Sequence, residues 1–142
     1  MKGVRKNLYA AWKAGEPPSP ATRTLGIRIV RLVSGRALLE MNVDRNLHNL
    51  SGTMHGGMIG DLADAAMGIA LATTLKQDED FTTIEMKMSF IRPHVNGVLR
   101  AEGLVAKRGR RIAFTEAIVT NSKKEVVAKS SGTCLLMKAN GR

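Results

Sequence analysis

From position 58 to 75 the chain reads MIGDLADAAMGIALATTL, almost nothing but Ala, Gly, Leu, Ile, Met and Thr. A helix lying on the surface of a globular protein shows one apolar stripe; a helix that is apolar all round has to be covered on nearly every side. No other segment offers a long partner helix, so the economical cover is an antiparallel sheet curved around this one. Whatever side the sheet leaves open points to packing against a second copy. Two carboxylates, Asp61 and Asp64, interrupt the run. They make a membrane span costly, so the segment reads as the buried helix of a soluble protein.

The flanking sequence supplies the strands. LGIRIVRLVSGRALLEMNV reads as two strands joined at Ser34-Gly35, with imperfect alternation in the first. NLHNLSGTMHGG is a polar, Gly-rich loop leading into the helix, and QDED is a charged connector beyond it. TTIEMKMSFIRP then alternates, with Ile84, Met86, Met88 and Phe90 on one face and Thr83, Glu85, Lys87 and Ser89 on the other. That is the pattern of a half-buried strand, ended by Pro93. Residues 98–107 and 111–120 form a hairpin around Arg108-Gly109-Arg110, and EVVAKSSGTCLLMK closes the chain after a turn at 121–124. The predicted order is β-β-α-β-β-β-β, an α+β class. Ahead of it, Leu8, Ala11 and Trp12 have helical spacing within residues 1–15. Pro17, Pro18 and Pro20 stop that helix and form a stiff connector, which divides the chain into residues 1–20 and a domain over 21–142.

Composition excludes several functions. The net charge of +10 suits a polyanionic partner, yet one Trp, one Tyr and three Phe leave no base-stacking platform for single-stranded nucleic acid. One Cys cannot form an intramolecular disulfide, and no basic stretch followed by an apolar one opens the chain, so a cytoplasmic location is expected. Three His without H-x-x-x-H or C-x-x-C spacing predict no metal, and no G-x-S-x-G elbow is present. Cys134 lies in a strand pattern and reads as a small core residue.

Chemistry concentrates at the loop and helix. Asp64 lies seven residues past Gly57 with no Lys or Arg within a helical turn, so neither an ion pair nor the first-turn dipole effect accounts for it. Asp61 is nearer the helix start. Being three apart, the two acids project to a similar side. His55-Gly56-Gly57 places backbone N–H groups at the helix start without Cβ atoms to hinder a ligand. Such donors can stabilise an oxyanion, and burial can raise the basicity of Asp64 enough to activate water.

The run from Asn49 to Ala66, NLSGTMHGGMIGDLADAA, resembles the hotdog-fold thioesterases of the PaaI-like branch, which includes the acyl-CoA thioesterase 13 type. Asn49, Gly52, His55, Gly56, Gly57, Leu62 and Asp64 fall on the family pattern, and FIRP and RGRRIAFTEAIVTN resemble its later strands. The likeness spans residues 25–138, so residues 1–20 lie outside it. It implies a curved antiparallel sheet wrapped around one central helix. It further implies homodimers or homotetramers with active sites between subunits, and hydrolysis of acyl-coenzyme A. On that resemblance Asp64 is general base or nucleophile, Asn49 and His55 hold the thioester, and a Gly N–H of the HGG step polarises its carbonyl. Thr83 falls where some members carry a Ser that orients water. The coenzyme A phosphates would be met by Arg92 and by Lys107, Arg108, Arg110 or Arg111, with Met58, and Met54, Met86 or Met88, as pocket wall. No cofactor is implied. An acyl-thioester hydratase using His55 with Asp64, a non-catalytic acyl-CoA binder, and a nucleic-acid-binding protein resting on charge alone are the competing readings.

Overall fold

The computed structural model describes residues 3–139. Its elements are α1 (Val4–Lys13), α2 (Pro20–Leu25), β1 (Arg28–Val33), β2 (Arg36–Val43), a 3-10 turn (Arg45–Leu47), α3 (Gly56–Ala72), β3 (Glu79–Phe90), β4 (Gly97–Arg108), β5 (Ile112–Thr120) and β6 (Val126–Lys138). One antiparallel sheet of six strands has the order β1-β2-β4-β5-β6-β3. It curves around α3, the arrangement expected from the apolar run.

The sheet receives the helix on a notch of small residues. Gly103 on β4 is paired with Ala37 on β2 and Ala117 on β5. A Cβ placed at Gly103 would lie 2.1 Å from the Ala66 carbonyl oxygen of α3. The helix backbone therefore rests directly on the strand. Ile59, Leu62, Ala63, Ala66, Met67, Ala70 and Leu71 form its buried stripe, against Leu39, Met41, Leu99 and Val119, which are fully enclosed. The opposite side of α3, carrying Asp61, Asp64 and Ala65, is less covered.

The structure departs from the sequence expectation in three places. Pro20 does not belong to a connector but opens α2, because its fixed φ suits the first helical position and Ser19 caps it. Thr22 and Ser19 form a reciprocal capping box, and Gly26, at φ +68°, turns the chain into β1 in a left-handed conformation. In β1 the register shifts between Ile29 and Arg31, so Val30 is an extra residue, which explains the imperfect alternation. In β3, which already starts at Glu79, a second shift falls between Thr83 and Glu85. Ile84 is the inserted residue and is 58% exposed. The bulge reverses the phase of the strand. Thr83 therefore faces α3 together with Phe81, and Met88 and Phe90 do so beyond the bulge.

Gly103→Ala is expected to cost about 3 kcal/mol, the upper end for overpacking, because the obstacle is helix backbone and not a side-chain tip. Urea denaturation followed by circular dichroism should show a lower midpoint with an unchanged slope.

Candidate active site

The loop before α3 is organised by Asn49. Its Oδ1 accepts the N–H groups of Ser51 (2.9 Å) and Thr53 (3.2 Å), and its Nδ2 donates to Thr53 Oγ1 at 3.0 Å. One Nδ2 hydrogen remains available. Gly52, at φ +77°, completes the turn. His55 is the N-cap of α3, with Nδ1 accepting the Gly57 N–H at 3.0 Å. That bond puts the ring proton on Nε2 and removes Gly57 as an oxyanion donor. Among the described residues nothing accepts from the Gly56 N–H, so of the two glycine donors it is the one left at the positive end of the helix. Both glycines are closely approached: a Cβ at Gly56 would lie 3.1 Å from the Phe90 ring, and one at Gly57 would lie 3.1 Å from His55 Nδ1, so either neighbour would have to give way.

Asp64 lies elsewhere. It is eight residues beyond Gly56, which is about 12 Å along a helix axis. With Asp61 and Thr83 it lines a cavity of about 460 Å³ between α3, β3 and the N-terminal helices. No hydrogen bond or ion pair reaches its carboxylate among the described residues. Although the side chain is open to the cleft, low-dielectric surroundings, and secondarily the Asp61 charge, push its pKa above the ordinary value. Thr83 Oγ1 sits 3.7 Å from Cys134 Sγ on β6, a buried thiol whose own pKa is raised by burial. Cys134 is the core residue expected, and it is also the neighbour that orients Thr83.

A single subunit thus brings Asp64 and Thr83 together at one end of β3, and Asn49, His55 and Gly56 together at the other, beside Phe90. It does not bring the two groups to one point. Met54 is core, and neither it nor Met58, Met86 or Met88 lines the cavity beside Asp64. Its apolar wall comes largely from Val4, Leu8, Leu25, Ile27 and Phe81, residues the sequence reading had not assigned to the site. The Ser19-Pro20 step, a capped helix start, was a sequence signal that could have found those of the N-terminal segment.

The basic residues divide in the same way. Arg108 is ion-paired with Glu79 at the start of β3, while Lys107, Arg110 and Arg111 are exposed at the same hairpin tip. Arg92 lies at the other end, with Nε 3.7 Å from Glu125. Among the described residues no cluster of His, Cys, Asp or Glu could hold a metal.

An antiparallel six-stranded sheet of this order curved around one central helix defines a hotdog-fold protein. The chain belongs to the thioesterase superfamily, whose family model matches residues 51–128. Human acyl-coenzyme A thioesterase 13 is 30% identical over 125 residues, covering 85% of this chain and 87% of that protein. A thioesterase family protein from Silicibacter pomeroyi superposes with a TM-score of 0.83 at 25% identity, over 96% of this chain and all of that one. The E. coli PaaI protein from the phenylacetic acid degradation operon superposes with a TM-score of 0.82 at 22% identity, over 98% of each chain, a likeness of fold.

Asp64→Asn is expected to stabilise the protein at neutral pH. A carboxyl whose folded pKa is raised costs stability progressively as pH climbs from its unfolded value through the raised one, and the cost persists above. The mutant's advantage should therefore vanish on acidification below the ordinary carboxylate range. Melting temperatures of both proteins across pH check this, and a destabilised mutant at neutral pH would contradict it.

Proposed function

We propose that the protein hydrolyses acyl-coenzyme A thioesters in sites assembled between two copies, with Asp64 as general base. The observation that carries this reading is the separation of the two half-sites along one strand whose outer edge is open. β3 is an edge strand, and Ile84 and Phe90 stand 58% and 57% exposed along it. Antiparallel pairing of β3 with its copy about its middle would lay the Phe90 end of one subunit against the Thr83 end of the other. Asn49, His55 and Gly56 of one copy would then face Asp64 and Thr83 of its partner, about the twofold axis commonest among homo-oligomers.

In the assembled site the chemistry balances simply. Asp64 takes a proton from a water oriented by Thr83, and that oxygen attacks the thioester carbonyl carbon. The negative charge developing on the carbonyl oxygen is met by the Gly56 N–H and the start of α3. The tetrahedral intermediate collapses, the C–S bond breaks, and the proton returned from Asp64 leaves with the coenzyme A thiol. The raised pKa of Asp64 suits a base working near neutral pH. Of the basic residues expected to meet coenzyme A phosphates, Lys107, Arg110 and Arg111 are exposed at the hairpin tip, while Arg108 is ion-paired with Glu79 and the half-exposed Arg92 with Glu125.

Thiol release from acyl-CoAs should fall about 10²–10⁴-fold in Asp64→Asn. Asn49→Ala should also be strongly impaired. Unfolding the two variants together at equal amounts and refolding should restore about a quarter of wild-type activity, since half the twofold dimers would hold one intact site. No recovery on mixing would overturn the shared site. KM should also rise with ionic strength and in Arg110→Ala with Arg111→Ala; a KM constant from low to high salt would remove the phosphate role of this hairpin.

A further inference from the structure

We propose that the N-terminal helical pair α1–α2 is the wall of the acyl pocket, and that it restricts the substrate to uncharged acyl chains of medium length. This rests on the thioesterase reading above and goes beyond it. The cavity that opens at Asp64 and Thr83 continues beneath the N-terminal segment, where Val4, Leu8, Leu25 and Ile27 face Ile69 of α3 and Phe81 of β3. A thioester held at Asp64 has its acyl group directed into that space.

The wall is built to stay in place without collapsing into the gap. α2 is fixed by the capping box, with the Thr22 N–H donating to Ser19 Oγ at 3.2 Å and the Ser19 N–H donating to Thr22 Oγ1 at 3.0 Å. The Ile27 N–H then donates to the Thr22 carbonyl at 2.9 Å, tying the end of α2 to the start of β1. α1 is anchored by Leu8, which is 5% exposed, and by Arg5, which donates to the Leu75 carbonyl at 3.5 Å. Both helices are held by their ends, and the space between them and the Asp64 side of α3 remains.

Charge and size then set the occupant. Among the described residues no Lys, Arg or His lines the cavity, whereas two carboxylates do. An acyl chain ending in a carboxylate would desolvate a third negative charge with no cation to pair it. At the ~30 Å³ share of a water-sized group, the cavity volume of about 460 Å³ holds at most roughly fifteen carbon-sized units, and fewer with realistic filling. Decanoyl fits wholly within this space, and the end of a palmitoyl chain would project beyond it into solvent.

The test is thiol release from straight-chain acyl-CoAs between acetyl and palmitoyl, with sebacoyl-CoA as the ω-carboxy partner of decanoyl-CoA. Two variants push the wall in opposite directions. Ala21 is exposed and lines the cavity, so Ala21→Trp can fill it without disturbing the core, and Leu25→Ala enlarges it. Wild type should prefer decanoyl-CoA over sebacoyl-CoA by about tenfold or more. Ala21→Trp should lower the decanoyl-to-butyryl ratio of kcat/KM by about tenfold, and Leu25→Ala should move the optimum to longer chains. A chain-length profile that neither variant moves, or equal rates on sebacoyl- and decanoyl-CoA, would overturn the pocket while leaving the hydrolase reading standing. Release from no acyl-CoA by the folded wild type would overturn both.

Discussion

Everything in this structure depends on how closely α3 can approach the sheet. The Ala66 carbonyl sits where a Cβ of Gly103 would be, 2.1 Å from it, so a single missing methyl group sets the depth of the helix. The neighbouring small residues, Ala37 and Ala117 on the sheet with Ala63 and Ala70 on the helix, extend the same notch. Asp64 is two residues before Ala66, about 200° around the helix. Pressing Ala66 onto β4 therefore turns Asp64 away from the sheet centre, toward β3 and the N-terminal helices. The packing contact on one side of α3 aims the carboxylate on the other.

The treatment of the remaining acids makes Asp64 stand out. Burial acts to raise the Glu40 pKa, yet Arg28 and Arg100 hold it below the ordinary value. The Lys76 N–H, then Arg108, lower Glu79, and the Asn121 amide, then Arg92, lower Glu125. The chain has 22 Lys and Arg for 12 Asp and Glu, so cations are abundant. On the proposed mechanism, leaving Asp64 without one, beside Asp61, trades stability for a more basic carboxylate.

Much of this was legible in the sequence, for identifiable reasons. The all-round apolar run specified one enclosed helix, and the isolation of Asp64 from any base within a turn marked it as unusual before its surroundings were known. The succession of strands along the chain followed from alternation and turns. What alternation could not carry was phase. One inserted residue at Ile84 moves Thr83 to the face of Asp64, and a bulge is a property of backbone pairing with β6 that no periodicity in β3 announces. The Pro run misled for a related reason. Three prolines look like an extended connector, but Pro20 directly after Ser19 is a helix start, and its capping box ends in Thr22 where Glu or Gln is the familiar signal.

On the proposed assembly, the open edge of β3 ties the pairing of two copies to the chemistry. An edge strand that exposes apolar side chains invites pairing unless charge, proline or a covering element blunts it. Here Ile84 and Phe90 are exposed with the charged Glu85 and Lys87 between them, and the chain continues into exposed Ile91 and Val95. Phe90 also lies over Gly56, while Phe81 and Thr83 at the far end lie beside Asp64. The residues that would be joined by edge pairing are thus the ones flanking the two half-sites. On the proposed assembly a lone subunit holds a base with no polarised carbonyl to attack with water, and an oxyanion donor with no base in reach. The helix length alone enforces this, because about 12 Å separates Gly56 from Asp64 on one rigid α3, and no side-chain rotation closes that distance.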